Sequence, residues 1–256
     1  NFIGGNRRGI MNGFINLNKP SGMTSHDAVN RVRRIFSTRK VGHAGTLDPA
    51  ASGVLPIAIN QATKFIEYLA DVDKIYRAEI LFGVATDSGD LEGKIITRAD
   101  FIMPTADELN AALESFIGEI EQTPPKFSAI KINGRKAYDM ARKDLNFEMP
   151  RRLIKISKIE LVGLNKDSAT IEVACGKGTY IRSLAIDIGA KLNLPATLKN
   201  LVRLRVGDFD IKKSVTLDEL NENHVLPIES CLNHLPRFEL NERRIKAFLN
   251  GLPTTI

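Results

Sequence analysis

The chain has no tryptophan, two cysteines and four histidines among its 256 residues. Cys175 and Cys231 make no Cys-x-x-Cys pair, and the histidines are scattered, so no metal site is expected. The His-x-Glu and Pro-Cys-x-x-Cys signature of a zinc deaminase is missing, which excludes that chemistry. Gly176-Lys177-Gly178-Thr179 lacks the spacing of a P-loop, and no Gly-x-Gly-x-x-Gly follows a strand. No cofactor is therefore expected. No apolar run is long enough to span a bilayer, and no secretory signal is visible. Cys175 lies in an alternating apolar run and reads as a buried free thiol, which suits a reducing cytoplasm. Internal repeats and low-complexity tracts are absent as well.

What is present is an ordinary globular composition, 43% hydrophobic and 26% charged, long enough for one large domain or one domain and a small one. The net charge of +6 leans toward a polyanionic partner, but an excess of that size also serves solubility. The most informative stretch is Gly42-His43-Ala44-Gly45-Thr46-Leu47-Asp48-Pro49-Ala50-Ala51-Ser52-Gly53-Val54-Leu55-Pro56. Its small residues, glycines and prolines predict a tight loop rather than helix or strand. It holds one carboxylate, Asp48, and Pro49 stiffens the backbone that presents it. On local chemistry alone Asp48 is a nucleophile, a base or a turn former.

Around this loop the pattern alternates between strand and helix. Phe14 to Leu17 reads as a strand stopped by the turn Lys19-Pro20-Ser21-Gly22. A helix capped by Ser25 follows, with Ala28, Val29, Val32, Ile35 and Phe36 on its apolar face. Arg31, Arg33, Arg34, Arg39 and Lys40 form either a solvated face or a phosphate-binding patch. A second helix is predicted near 61–69, then a strand with Tyr76, Ala78, Ile80 and Phe82 on one face. Asp87 and Asp90 read as turn formers. Thr105 and Glu108 make a capping box for a helix bearing Leu109, Leu113, Phe116 and Ile117.

Residues 123–152 are irregular, basic and aromatic-bearing, and read as an insertion able to order on RNA. Strands at Ile154/Ile156 and Ile171/Val173/Cys175, a helix with Ile181, Leu184, Ala185, Ile188 and Leu192, and a strand with Val202, Leu204 and Val206 come next. Thr216 and Glu219 are expected to cap a short helix. Irregular interspersion of strands and helices predicts an α+β fold with a mixed sheet and flanking helices. Residues 1–10 read as a flexible extension or expression remnant, and 11–237 as the main domain.

Several blocks, in order, resemble those of the TruB family of pseudouridine synthases. They are the loop 42–56; Asn18-Lys19-Pro20-Ser21-Gly22-Met23-Thr24-Ser25; Tyr76-Arg77-Ala78; Gly178-Thr179-Tyr180-Ile181-Arg182-Ser183-Leu184-Ala185; and Leu201-Val202-Arg203-Leu204-Arg205. The resemblance covers roughly 13–235 and implies the pseudouridine synthase fold, a central, largely antiparallel mixed sheet flanked by helices and loops. It implies Asp48 as nucleophile, Arg182 as its cation and Tyr76 as the active-site tyrosine. It also implies substrate contacts by His43, Tyr76, Tyr180 and Leu201, with Lys19 and Pro20 bracing the catalytic loop. Taken alone, Arg182 reads as a surface helix residue, His43 as a turn cap, and Tyr76, Tyr180 and Leu201 as core.

By the same resemblance the reaction is the cofactor-free isomerisation of uridine to pseudouridine at position 55 in the TΨC loop of tRNA. The nucleotide is extruded, its base–sugar bond broken, and the uracil rejoined through carbon. The expected partner is the TΨC arm of tRNA, bound by a monomer that needs no protein partner. Residues 238–256 look like the first helix of the family's PUA domain, truncated here. The rivals are an RNA-guided relative of archaeal or eukaryotic type and an RNA-binding or folding module without catalysis.

Overall fold

The computed structural model describes residues 11–143 and 145–251. The expected extension at 1–10 and the end of the chain after 251 lie outside the described residues. Strands β1 (Gly13–Lys19), β2 (Val41–His43), β3 (Ser52–Ile59), β4 (Lys74–Phe82), β7 (Gly118–Gln122), β10 (Arg152–Leu164), β11 (Ser168–Cys175), β12 (Ala196–Val206) and β13 (Phe209–Asp210) form one sheet. Its order is β1-β3-β12-β4-β11-β10-β7, with β2 on β3 and β13 on β12. Strands β5 (Val84–Thr86) and β6 (Ile95–Arg98) make a separate hairpin. Among the described residues the pairing is antiparallel throughout the main sheet except where β12 meets β3 in parallel, at Val202↔Ser52 and Arg203↔Gly53. This is the mixed sheet expected from the pattern, largely antiparallel as the resemblance implies.

The helices α1 (Ser25–Ile35), α2 (Ala106–Glu114) and α4 (Ile181–Lys191) bury Val32, Leu109, Leu113, Leu184 and Ile188 in the main core with β1 and β3. Strand β1 is apolar on both faces. Ile15 and Leu17 enter this core, whereas Phe14 enters a second cluster with Val54, Val206 and Phe209. That is why Phe14 and Ile15 are both apolar although they point to opposite faces. At the parallel junction Gly53 has φ +105°, and a Cβ there would collide with the Arg203 backbone. Only glycine allows β3 and β12 to approach so closely.

Several expectations need correction. The stretch 42–56 is not all loop: β2 takes its first residues and β3 its last, leaving 44–51 as the turn. Thr24, not Ser25, caps α1, in a capping box with Asp27. The Ser25 hydroxyl instead bonds both backbone groups of Leu47. The segment Asn60–Leu69 is a 3-10 helix. Its apolar residues, spaced both three and four apart, suit either helix type, so periodicity cannot separate them.

The Thr216–Glu219 pair closes a turn, not a helix. On β12 Leu201 and Arg203 are buried while Val202 and Leu204 are half-buried, because the register shifts between Leu198 and Asn200; it shifts again between Arg203 and Arg205, which brings Val206 inward. The insertion carries regular elements among its described residues. It holds the hairpin β8 (Lys131–Ile132)/β9 (Arg135–Lys136) and the helix α3 (Ala137–Ala141), anchored by buried Ile130 and Ala137. Near the C-terminus α5 (Glu242–Leu249) is capped by Asn241.

Candidate active site

The turn 44–51 is held almost carbonyl by carbonyl. Lys19, fully buried at the end of β1, donates from Nζ to the carbonyls of Pro20 (2.8 Å), Met23 (2.6 Å) and Pro49 (3.3 Å). The Gly22 amide donates to the Pro49 carbonyl at 2.8 Å, and Ser21 Oγ to that of Ala50 at 2.7 Å. From β12, Arg203 donates to the carbonyls of Gly45 (3.1 Å), Thr46 (3.3 Å) and Val54 (2.7 Å). Asp48 therefore sits on a turn whose own backbone groups are satisfied by neighbours and fixed in place.

Arg182 lies on the first turn of α4 and is 6% exposed. Its Nε is 3.0 Å from Oδ2 of Asp48 and 3.6 Å from Oδ2 of Asp90. The remaining nitrogens donate to the carbonyls of Ser88 (3.1 Å) and Phe127 (3.0 Å). The guanidinium is thus satisfied on every side, and the Asp48 side chain, 40% exposed, is the part of the pair that opens to solvent. A buried cation beside a half-open carboxylate holds the latter in one orientation.

Asp48, Arg182, Tyr76, Tyr180, Leu201 and Asp90 line one cavity of about 920 Å3. Burial pushes the Tyr76 phenol up, and Arg203 works the other way. Tyr180 precedes α4, and its backbone amide and carbonyl are both bonded by the side chain of buried Gln122, at 2.8 and 3.1 Å. From the insertion, Phe127, Lys136, Tyr138 and Arg142 reach the same cavity.

The structure brings five of the expected site residues to this cavity and leaves three outside its lining. Lys19 lies buried against the turn, and Pro20, exposed, gives its carbonyl to Lys19 Nζ. His43 lies on β2, half-buried, and its Nδ1 has no hydrogen-bond partner. Burial, then Arg203 and His26, hold its pKa below the usual imidazole value. Lys19 is lowered by burial to about 8, with Asp48 opposing that shift.

Sequence reasoning missed Asp90, Arg203 and Gln122. Asp90 does form its turn, accepting from Ser88 Oγ and the Glu92 amide, but its second oxygen turns to Arg182. No spacing links Asp90 to Arg182, so only the fold reveals the pair. Among the described residues no helix is long and apolar enough to cross a membrane, and no group of three or more His, Cys, Asp or Glu side chains could hold a metal ion.

Two family models match the chain. One described as TruB family pseudouridylate synthase (N terminal domain) matches residues 33–181, and one described as tRNA pseudouridylate synthase B C-terminal domain matches 182–235. The chain is 46% identical over 256 residues to the tRNA pseudouridine synthase B of Bacillus pumilus, covering 94% of this chain and 83% of that protein. To the protein of the same name from Clostridium kluyveri it is 44% identical over 246 residues, covering 94% and 85%. Among solved structures it resembles a chain from a Cbf5-Nop10-Gar1 complex, with a TM-score of 0.74 and 29% identity over 93% of this chain and 67% of that one.

Proposed function

The chain belongs to the TruB family of pseudouridylate synthases, and from that premise we propose that it isomerises uridine 55 in the TΨC loop of tRNA. The observation that carries this reading is the Asp48–Arg182 pair at 3.0 Å on a cavity also lined by Tyr76, Tyr180 and Leu201. The cavity, of about 920 Å3, has room for an extruded nucleotide. The names of the relatives at 44–46% identity support tRNA as the substrate.

In this reading the target uridine leaves its stack and enters the cavity, where a tyrosine ring offers a stacking surface. Asp48 attacks either the uracil ring or the sugar C1′, and Arg182 holds its carboxylate toward the substrate. The bond from C1′ to N1 breaks, the bond from C1′ to C5 forms, and the bond made by Asp48 is broken again, which returns its carboxylate. The proton on C5 departs and N1 gains one, so the product has the composition of the substrate. Asp90, whose Oδ2 lies 3.6 Å from Nε of Arg182, helps to keep that side chain oriented. Leu201 walls the base from water, and His43, next to the cavity residue Ala44, meets the flanking nucleotide. The protein acts as a cytoplasmic monomer, with the basic insertion gripping the TΨC arm.

The test is to incubate the protein alone with unmodified tRNA transcript and map pseudouridine at single-nucleotide resolution. Conversion at uridine 55 is expected for the intact protein and none for Asp48→Asn. Conversion only in the presence of a guide RNA and partner proteins would support the RNA-guided reading. Binding without any conversion would support the non-catalytic one.

A further inference from the structure

Arg203 heads the fully buried side chains by size and takes no part in the steps above. It is 1% exposed, and among the described residues no carboxylate lies within ion-pairing distance of it. A buried cation without a counter-ion is costly, and an apolar side chain would fill the same space at less expense. Its retention calls for a use. The three carbonyls it holds lie on both flanks of Asp48: Gly45 and Thr46 before it, Val54 after it. The Arg203 backbone meanwhile packs against Gly53 where no side chain fits. One residue thus grips the turn with its main chain and its side chain together.

The same residue reaches the aromatic side of the site. Arg203 is the cross-strand partner of Tyr76 on β12 and β4, which sets the guanidinium and the phenol side by side on one face of the sheet. We infer that Arg203 is a positioning residue, which fixes the Asp48 turn against β12 and holds the Tyr76 hydroxyl under a permanent positive charge. This rests on the roles given to Asp48 and Tyr76 above. The charged and titratable groups facing Tyr76 are Arg203 from β12, Cys175 from β11 and Asp48 from the turn. Burial first, then Cys175 and Asp48, push the phenol up, and Arg203 is the opposing group. Lysine would keep the charge but not the fork that reaches three carbonyls.

Four tyrosines and no tryptophan make the test direct. The protein is labelled uniformly with 3-fluorotyrosine and its 19F spectrum recorded without RNA, the Tyr76 resonance being assigned from Tyr76→Phe. Arg203→Gln keeps an amide donor and removes the charge. It is expected to move the Tyr76 resonance while the other three stay in place, with Arg203→Lys moving it less. If Arg203→Gln does not fold, all four resonances collapse. Arg203→Lys then decides, because losing the fork should still displace Tyr76 alone. In single-turnover assays Arg203→Gln should lose about 100-fold in rate, the scale of a small misplacement of reacting groups, and Arg203→Lys should recover at least part of it. A Tyr76 resonance unmoved in the folded variant, or equal rates for the lysine and glutamine variants, overturns the inference. Because the spectrum needs no substrate, its failure is distinct from a failure of the proposed reaction.

Discussion

Two groups of basic residues divide this molecule between them. Lys19, Arg182 and Arg203 are buried and spend their donors mainly on backbone carbonyls. Lys131, Arg135, Lys136, Arg142 and Lys143, in the insertion, lie toward solvent. Of these, Lys136 and Arg142 border the same cavity, and Arg142 lies 4.8 Å from the ring centre of Tyr138. The first group is an internal scaffold. Its charges are solvated by a turn, and in return they fix that turn. The second group has its donors turned to solvent. Net charge alone merges these roles, and burial separates them.

The sharpest way to break the comparison is at the residue the scaffold serves. Asp48→Asn keeps the shape of the turn and removes the charge, so turnover should vanish while RNA affinity survives. Activity within about tenfold of the unmodified protein would remove Asp48 from the chemistry. Next comes the cation. Arg182→Met leaves the Asp48 and Asp90 carboxylates without their common partner and should lower the single-turnover rate by about 100- to 1,000-fold, as for loss of one preorganised electrostatic donor. RNA binding, measured by filter retention, should stay within about threefold of the original, as expected for a residue that touches no phosphate.

Tyr76 separates stacking from proton transfer. If only stacking matters, Tyr76→Phe stays active and Tyr76→Leu loses about 1–3 kcal/mol of transition-state binding. If the hydroxyl moves a proton, both variants lose turnover. A fully active Tyr76→Leu protein would make Tyr76 an ordinary core residue.

In the exposed group, neutralising Arg135, Lys136, Arg142 and Lys143 together should weaken tRNA binding and flatten the slope of log affinity against log salt, by about 0.7–0.9 for each phosphate no longer neutralised. The unfolding midpoint should barely move, since exposed charges contribute little to stability. An unchanged slope would make the insertion a solvated surface.

The smallest effect concerns Lys19, whose folded pKa of about 8 lies below its ordinary value of 10.5. Between those values the unfolded chain carries one more proton than the folded one. Its contribution to stability therefore rises with pH across that window. Urea unfolding from about pH 7.5 to 10 should show a rise of roughly 1–3 kcal/mol that Lys19→Met abolishes. The same rise in both proteins would show Lys19 to be unshifted.

Local patterns make most elements legible in the amino-acid order itself. The capping box Thr105–Glu108, the alternation in β4 and β11, and the apolar face of α4 each lie where periodicity puts them. What periodicity cannot show is a break in itself. Two register shifts in β12, between Leu198 and Asn200 and between Arg203 and Arg205, change which residues face inward, and Arg203 falls among the buried ones. The choice of Thr24 over Ser25 as the cap depends on a distant segment, because Ser25 is claimed by Leu47. Asp48, Tyr76, Tyr180, Arg182 and Leu201 can be singled out because they stand in recognisable blocks, and the structure gathers them on one cavity. Asp90 and Gln122 stand in none. Their partners, Arg182 and Tyr180, are remote in the chain, so their sites exist only after folding.

The division between scaffold and grip can be tested most directly by measuring two quantities for each group on the same tRNA: the dissociation constant, and the single-turnover rate at saturating enzyme. Arg182→Met should lose rate and keep affinity. The fourfold variant at Arg135, Lys136, Arg142 and Lys143 should lose affinity and keep its saturated rate within about tenfold, the limit expected if phosphate contacts supply binding shared equally by ground and transition states. If both variants lose rate and affinity in the same proportion, the two groups are not separate and the account fails.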